Sequence, residues 1–211
     1  MWNSFITIED DRFGLKTIAH CVIGIILFII ANIAAAILSN VLSNIITVHS
    51  IIIIINCCFN ILFFLLLISL YIRKGLKKRL DFFRINNVKP SKLFILISII
   101  LPCCVIGFYY FFLSGTLSVN NIKMHEKLCF AISIGLSAGV CEEILFRGII
   151  FSSFENTTRS SWFPVIVTGV MFGIWHGSFI QGVYTAIFGI ILAYFMKKCR
   201  SLMFVAFAHG I

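Results

Sequence analysis

Leu128 to Phe154 reads LCFAISIGLSAGVCEEILFRGIIFSSF. About 20 apolar residues suffice to cross the hydrocarbon core of a bilayer, so a run of this length and composition predicts a membrane helix. Inside it lie Glu142, Glu143 and Arg147. The chain has only eight acidic residues, and two of them are adjacent here. A carboxylate at a helix centre costs roughly 2.5–3.5 kcal/mol on the insertion scale. Two neighbouring carboxylates also repel each other, so the pair needs compensating partners and marks a functional site by default.

Helix geometry separates the two. Glu143 and Arg147 are four apart, share a face and can form an ion pair. Glu142 points about 100° away on a helix of about 3.6 residues per turn. A buried structural ion pair would account for Glu143 and Arg147 but would leave Glu142 without a partner.

The rest of the chain fits this setting. It is 60% hydrophobic and 12% charged, against about 25% charged residues in a soluble domain. Mean hydropathy is +1.06. The predicted fold is all-α, a polytopic transmembrane helix bundle of about seven spans, the last incomplete. The formal charge of +9 is not a nucleic-acid footprint, because the basic residues fall in loops, where they orient the protein and meet anionic membrane lipids. The eight cysteines do not read as a disulfide framework: most lie in apolar segments, where a thiol behaves as a small hydrophobe. Cys199 reads as an ordinary loop cysteine; its juxtamembrane place also makes it a candidate for acylation.

Residues 1–127 are expected to hold three N-terminal spans and a basic loop, and residues 128–211 a core of later helices. Span one is predicted over Thr17 to Leu38, with His20 at its edge, and span two over Ile51 to Ile72. Arg73 to Lys92 is the basic loop, followed by span three, Leu93 to Leu113, with a kink at Pro102. Ser114 to Lys127 is a polar link. Span four is Leu128 to Phe154, then a turn from Glu155 to Ser161. Span five is Trp162 to Phe179, with Pro164 near its start, where proline is tolerated. Span six is a short, buried or tilted helix from Gly182 to Met196, and a seventh apolar segment begins at Ser201. With the N-terminus inside, most of the 17 basic residues fall on the inner side, and only Lys123 and Lys127 fall in outer links. The positive-inside rule therefore predicts a multi-pass cell-membrane protein with a cytoplasmic N-terminus.

Two histidines accompany the glutamates: His176 in Phe172-Gly173-Ile174-Trp175-His176, and His209 near the end. A single buried histidine is more often structural, held by a backbone carbonyl. Measured from the inner ends of their helices, Glu142 lies about 18 Å deep, His176 about 21 Å and His209 about 12 Å, at about 1.5 Å per residue. Allowing for tilt, the three fit one layer. Gly135 with Gly139, and Gly169, Gly173 and Gly177, recur every four residues and allow close helix packing, which is expected to bring Glu142 and His176 together.

Glu142-Glu143-x-x-x-Arg147, then Phe172-x-x-x-His176, then a histidine in a later span, resembles the CPBP (Abi) intramembrane endopeptidases, which include the type II CAAX prenyl proteases. The resemblance covers roughly residues 128–211. It implies that Glu142 activates water for attack on a peptide carbonyl, that Glu143 and Arg147 support it, that His176 is the histidine of the second motif, and that His209 helps stabilise the oxyanion. The family pattern has an asparagine four residues after that histidine, near position 213, beyond Ile211. A positioned base and donors aimed at the oxyanion are what peptide hydrolysis requires. The resemblance leaves a metal open. Zinc, as a divalent cofactor, would take Glu142, His176 and His209, an acceptable ligand set. The expected substrates are peptides or lipidated proteins: prenylated C-termini, pheromones or bacteriocin precursors. A non-catalytic immunity or regulatory protein of the same fold is the alternative. An ion or proton relay through Glu142 and Glu143 ranks below both, because the chain is short and shows no inverted repeat.

Overall fold

A computed structural model describes residues 14–46, 48–72, 131–133, 135–158 and 160–210, together with positions 92, 95 and 96. The basic loop, most of span three and the polar link expected over 73–127 lie outside the described residues, except for those three isolated positions. All regular structure among the described residues is helical. Helix α1 is Leu15–Ser43 and α2 is His49–Tyr71. Helix α3 runs over 135–157. Helices α4, Phe163–Trp175, α5, Phe179–Cys199, and α6, Leu202–Gly210, follow.

Three of these helices are long and apolar enough to cross a bilayer: Thr17–Ser43, Ser50–Tyr71 and Phe179–Cys199. Their outward faces are bare aliphatic surface. Ile37 is 60% exposed and Leu70 61%, which water would penalise and lipid does not. The chain is a membrane protein.

Helix α5 corrects the expectation of a short span six. Lys197 and Lys198 belong to its last turn, not to a loop. Its start is set by Gly177, whose φ of +68° ends α4 in the left-handed region that glycine enters freely. Cys199 is likewise not a loop residue: it is the last residue of α5 and is buried.

Helix α3 is the axis of the bundle. From Glu143 to Phe154 every residue is buried, with α1, α4, α5 and α6 packed around it. Leu145, Phe146, Ile149 and Ile150 fill the core beside Phe64 and Ile68 of α2 and Leu192 of α5. Its winding is not regular. Ala138–Glu142 and Ile144–Phe151 are π-helical, and an α-helical end, Ser152–Thr157, absorbs part of the turn expected after Phe154. Wide i→i+5 turns are rare and concentrate at functional sites. At the far end of α3, Arg200 Nη1 donates to both Glu155 oxygens at 2.8 and 2.7 Å, and Lys197 Nζ donates to the Ser161 carbonyl at 2.7 Å. These contacts tie the α3–α4 and α5–α6 connections together.

The glycines pack differently from the expectation that they join Glu142 to His176. A Cβ on Gly139 would lie 2.7 Å from the Ala206 carbonyl oxygen and 2.8 Å from Gly210 Cα, and one on Gly135 2.8 Å from the Gly210 oxygen. That face of α3 therefore receives α6 and brings His209 in. Gly169 and Gly173 instead receive α5, where a Cβ would meet Ile190 N at 2.6 Å and Gly182 O at 2.4 Å respectively.

Candidate active site

The site is built on α3, where two consecutive residues take different roles. Glu143 and Arg147 are both fully buried and pair at 2.8 Å, Nη1 to Oε1. The i,i+4 pairing survives the wider winding. Arg147 Nη2 donates to the Gly189 carbonyl at 2.9 Å, and its guanidinium lies 4.7 Å from the centre of the Phe172 ring. The cation is thus held by a carboxylate, a carbonyl and an aromatic face, the kind of compensation a buried charge requires.

His209 of α6 shares the same carboxylate oxygen, with Nδ1 2.8 Å from Glu143 Oε1. That oxygen already accepts from Arg147, so Nδ1 is the donor. The imidazole is packed edge-on against Phe172 and Phe188, each with ring centres 5.4 Å away. Its second nitrogen, Nε2, faces Glu142 Oε2 at 3.9 Å. This distance is too long for a direct hydrogen bond and leaves space for a shared donor. Glu142 Oε2 is buried with no hydrogen-bond partner among the described residues.

His176 caps the end of α4. Nδ1 is 2.8 Å from the Phe172 carbonyl, which can only accept, so Nδ1 carries a proton and Nε2 is the acceptor of the neutral ring. The structural expectation for an isolated histidine thus describes one of its nitrogens, while the other is left for chemistry. Its ring packs on Phe172, with centres 4.8 Å apart. Phe172 is therefore the common floor beneath Arg147, His176 and His209. The five residues expected at the site form one group: Glu143, Arg147 and His209 bonded together, Glu142 facing His209, and His176 at the end of α4.

Two helices outside the expected core also contribute. Asn32 of α1 and Asn60 of α2 lie in the wall of a cavity of about 460 Å³ that also reaches Glu142. The readable signal was two amides in isoleucine-rich spans, where polar side chains are costly. Among the described residues no three His, Cys, Asp or Glu side chains are grouped so as to hold a metal ion. Glu142, His176 and His209 do not form such a group in this arrangement.

Fold and site together define a membrane protein with a buried carboxylate–histidine centre. Residues 124–211 match the family model described as type II CAAX prenyl endopeptidase Rce1-like. This stretch is CPBP/CAAX-protease-like, and it contains Glu142, Glu143, Arg147, His176 and His209. No curated protein and no solved structure matches the chain.

Proposed function

We propose that the protein is an intramembrane endopeptidase in which Glu142 activates water against a substrate peptide bond. The observation that carries this reading is the division of labour between adjacent carboxylates. Glu143 is fully buried and its Oε1 is committed to Arg147 and His209, although its Oε2 is also without a hydrogen-bond partner among the described residues. Glu142 is the carboxylate that reaches the cavity wall, with an unpaired oxygen 3.9 Å from His209 Nε2. Only a carboxylate that water can reach can take a proton from it, and a positioned base contributes about 10²–10⁴-fold.

In the reaction, water between Glu142 and the histidines gives its proton to Glu142 Oε2 as its oxygen bonds to the carbonyl carbon. His176, through Nε2, orients the water. His209, anchored by Glu143 at Nδ1, holds Nε2 beside the reacting atoms, where a proton on Nε2 would be donated to the oxyanion; one such donor is worth about 10²–10³-fold. The peptide C–N bond then breaks, and the proton held by Glu142 passes to the leaving amine.

The family match favours prenylated C-termini as substrates; pheromone and bacteriocin-type precursors belong to the same chemical class of membrane-bound peptides. The protein is placed across the bilayer in several passes, with a cytoplasmic N-terminus, on the distribution of its basic residues. New peptide termini should be sought by mass spectrometry in membranes carrying wild type or Glu142→Gln. Termini made only by wild type support proteolysis. Their absence, with both proteins stably present, selects the non-catalytic immunity or regulatory reading.

A further inference from the structure

The cavity beside Glu142 is more polar than its position requires. Asn32, Asn56, Asn60, Ser133, Ser137 and Glu142 line it, and the remainder of its wall is mainly apolar. Its volume of about 460 Å³ far exceeds the roughly 30 Å³ share of one water molecule.

The orientation of its central amides follows from one carbonyl. Asn32 Nδ2 donates to the Phe28 carbonyl at 2.9 Å, which fixes Asn32 Oδ1 as an acceptor. Asn60 Nδ2 donates to that oxygen at 2.8 Å and to Ser137 Oγ at 3.2 Å. Both protons of the Asn60 amide are thereby used, and its carbonyl oxygen is left over. Asn60 is 7% exposed, and Oδ1 is buried with no partner among the described residues. Two residues that each carry an unsatisfied acceptor, Asn60 at Oδ1 and Glu142 at Oε2, therefore line one chamber. An orphaned buried acceptor is costly, so both await a donor.

We infer that this chamber is a subsite for the backbone of an unwound peptide, in which Asn60 Oδ1 accepts a substrate N–H and so presents the neighbouring carbonyl to Glu142. The inference rests on the endopeptidase reading. A helical substrate shields its scissile bond, and once unwound in an apolar environment its N–H and C=O groups need replacement partners. Asparagine carries the same carbonyl and amide pair as a peptide group. Because the contact is to backbone, it selects extended conformation over side-chain identity. Its asparagines are supplied by α1 and α2, outside the family-matched stretch, while Ser133, Ser137 and Glu142 lie within it.

The test uses full-length Glu142→Gln protein in nanodiscs, which binds without turnover, and a fluorescent farnesylated CAAX peptide. A companion series carries N-methylation at one backbone nitrogen at a time. One position should lose about threefold to tenfold in affinity, the equivalent of one net hydrogen bond. The loss at that position should vanish when Asn60→Leu is added. Ser137→Ala, a smaller change that frees the Asn60 amide to turn, should shrink it and provides the reading if Asn60→Leu does not fold. A methylation profile identical with and without these changes overturns the subsite while leaving the endopeptidase reading intact. Failure of folded wild type either to bind or to cleave the parent peptide sinks the substrate assignment and this inference with it.

Discussion

Replacing Arg147 with methionine should be among the most damaging single changes in the protein, and adding Glu143→Leu should restore much of what is lost. Both side chains are fully buried, so each charge has given up its solvation and depends on the other at 2.8 Å. Arg147→Met removes the cation and leaves a buried carboxylate with His209 as its remaining partner. Breaking a buried pair from one side costs about 3–5 kcal/mol. Replacing both members with apolar residues of similar volume is often neutral or stabilising, because both desolvation costs disappear together. Here the recovery should be incomplete, since His209 also loses its acceptor, at about 1–3 kcal/mol. The double variant should therefore be more stable than Arg147→Met alone by at least about 1 kcal/mol, with strong non-additivity across the cycle. Reversible unfolding in mixed micelles of mild detergent and SDS measures all four corners. Arg147→Met costing less than about 1 kcal/mol, or strict additivity, would refute the view that Arg147 is held chiefly by Glu143.

His176 and His209 should separate activity from stability. His176→Ala removes one carbonyl contact from a half-buried ring and should lower the cleavage rate by about 10²-fold or more while costing about 1 kcal/mol in the same unfolding assay. His209→Ala should lower the rate comparably but cost more stability, because it also strips Glu143 of a donor and Phe172 and Phe188 of a packed ring. Among the glycines, Gly139→Ala forces a Cβ onto the α6 backbone and should cost about 1–3 kcal/mol, with a fall in activity as His209 shifts. Gly177→Ala meets nothing within 4 Å and should cost only the left-handed backbone strain, about 1–2 kcal/mol.

The Glu143–Arg147 pair could be read from spacing alone because i,i+4 neighbours meet under either winding of α3. The winding itself could not, because no residue type marks a π turn. The glycine repeats announced close packing but not with which helix. That depends on loop lengths and on the shape of α6, which brings its Ala206 and Gly210 backbone onto Gly139. Gly182 and Lys197 look like the limits of span six in the sequence, yet apolar stems let terminal lysines extend a membrane helix, and α5 runs over Phe179–Cys199. Asn32 and Asn60 were hidden for a different reason. Each is a single neutral polar residue in an isoleucine-rich span, and only the approach of α1 and α2 to α3 turns them into one chain of hydrogen bonds ending at Ser137.

The central claim is that Glu142, not its neighbour, is the base. Its most direct test is the single-turnover rate at which purified protein in liposomes makes a new terminus in a farnesylated CAAX peptide. Glu142→Gln should slow that rate by at least about 10²-fold with an unchanged unfolding midpoint, since Oε2 has no structural partner to lose. A Glu142→Gln protein that cleaves as fast as wild type would contradict the account.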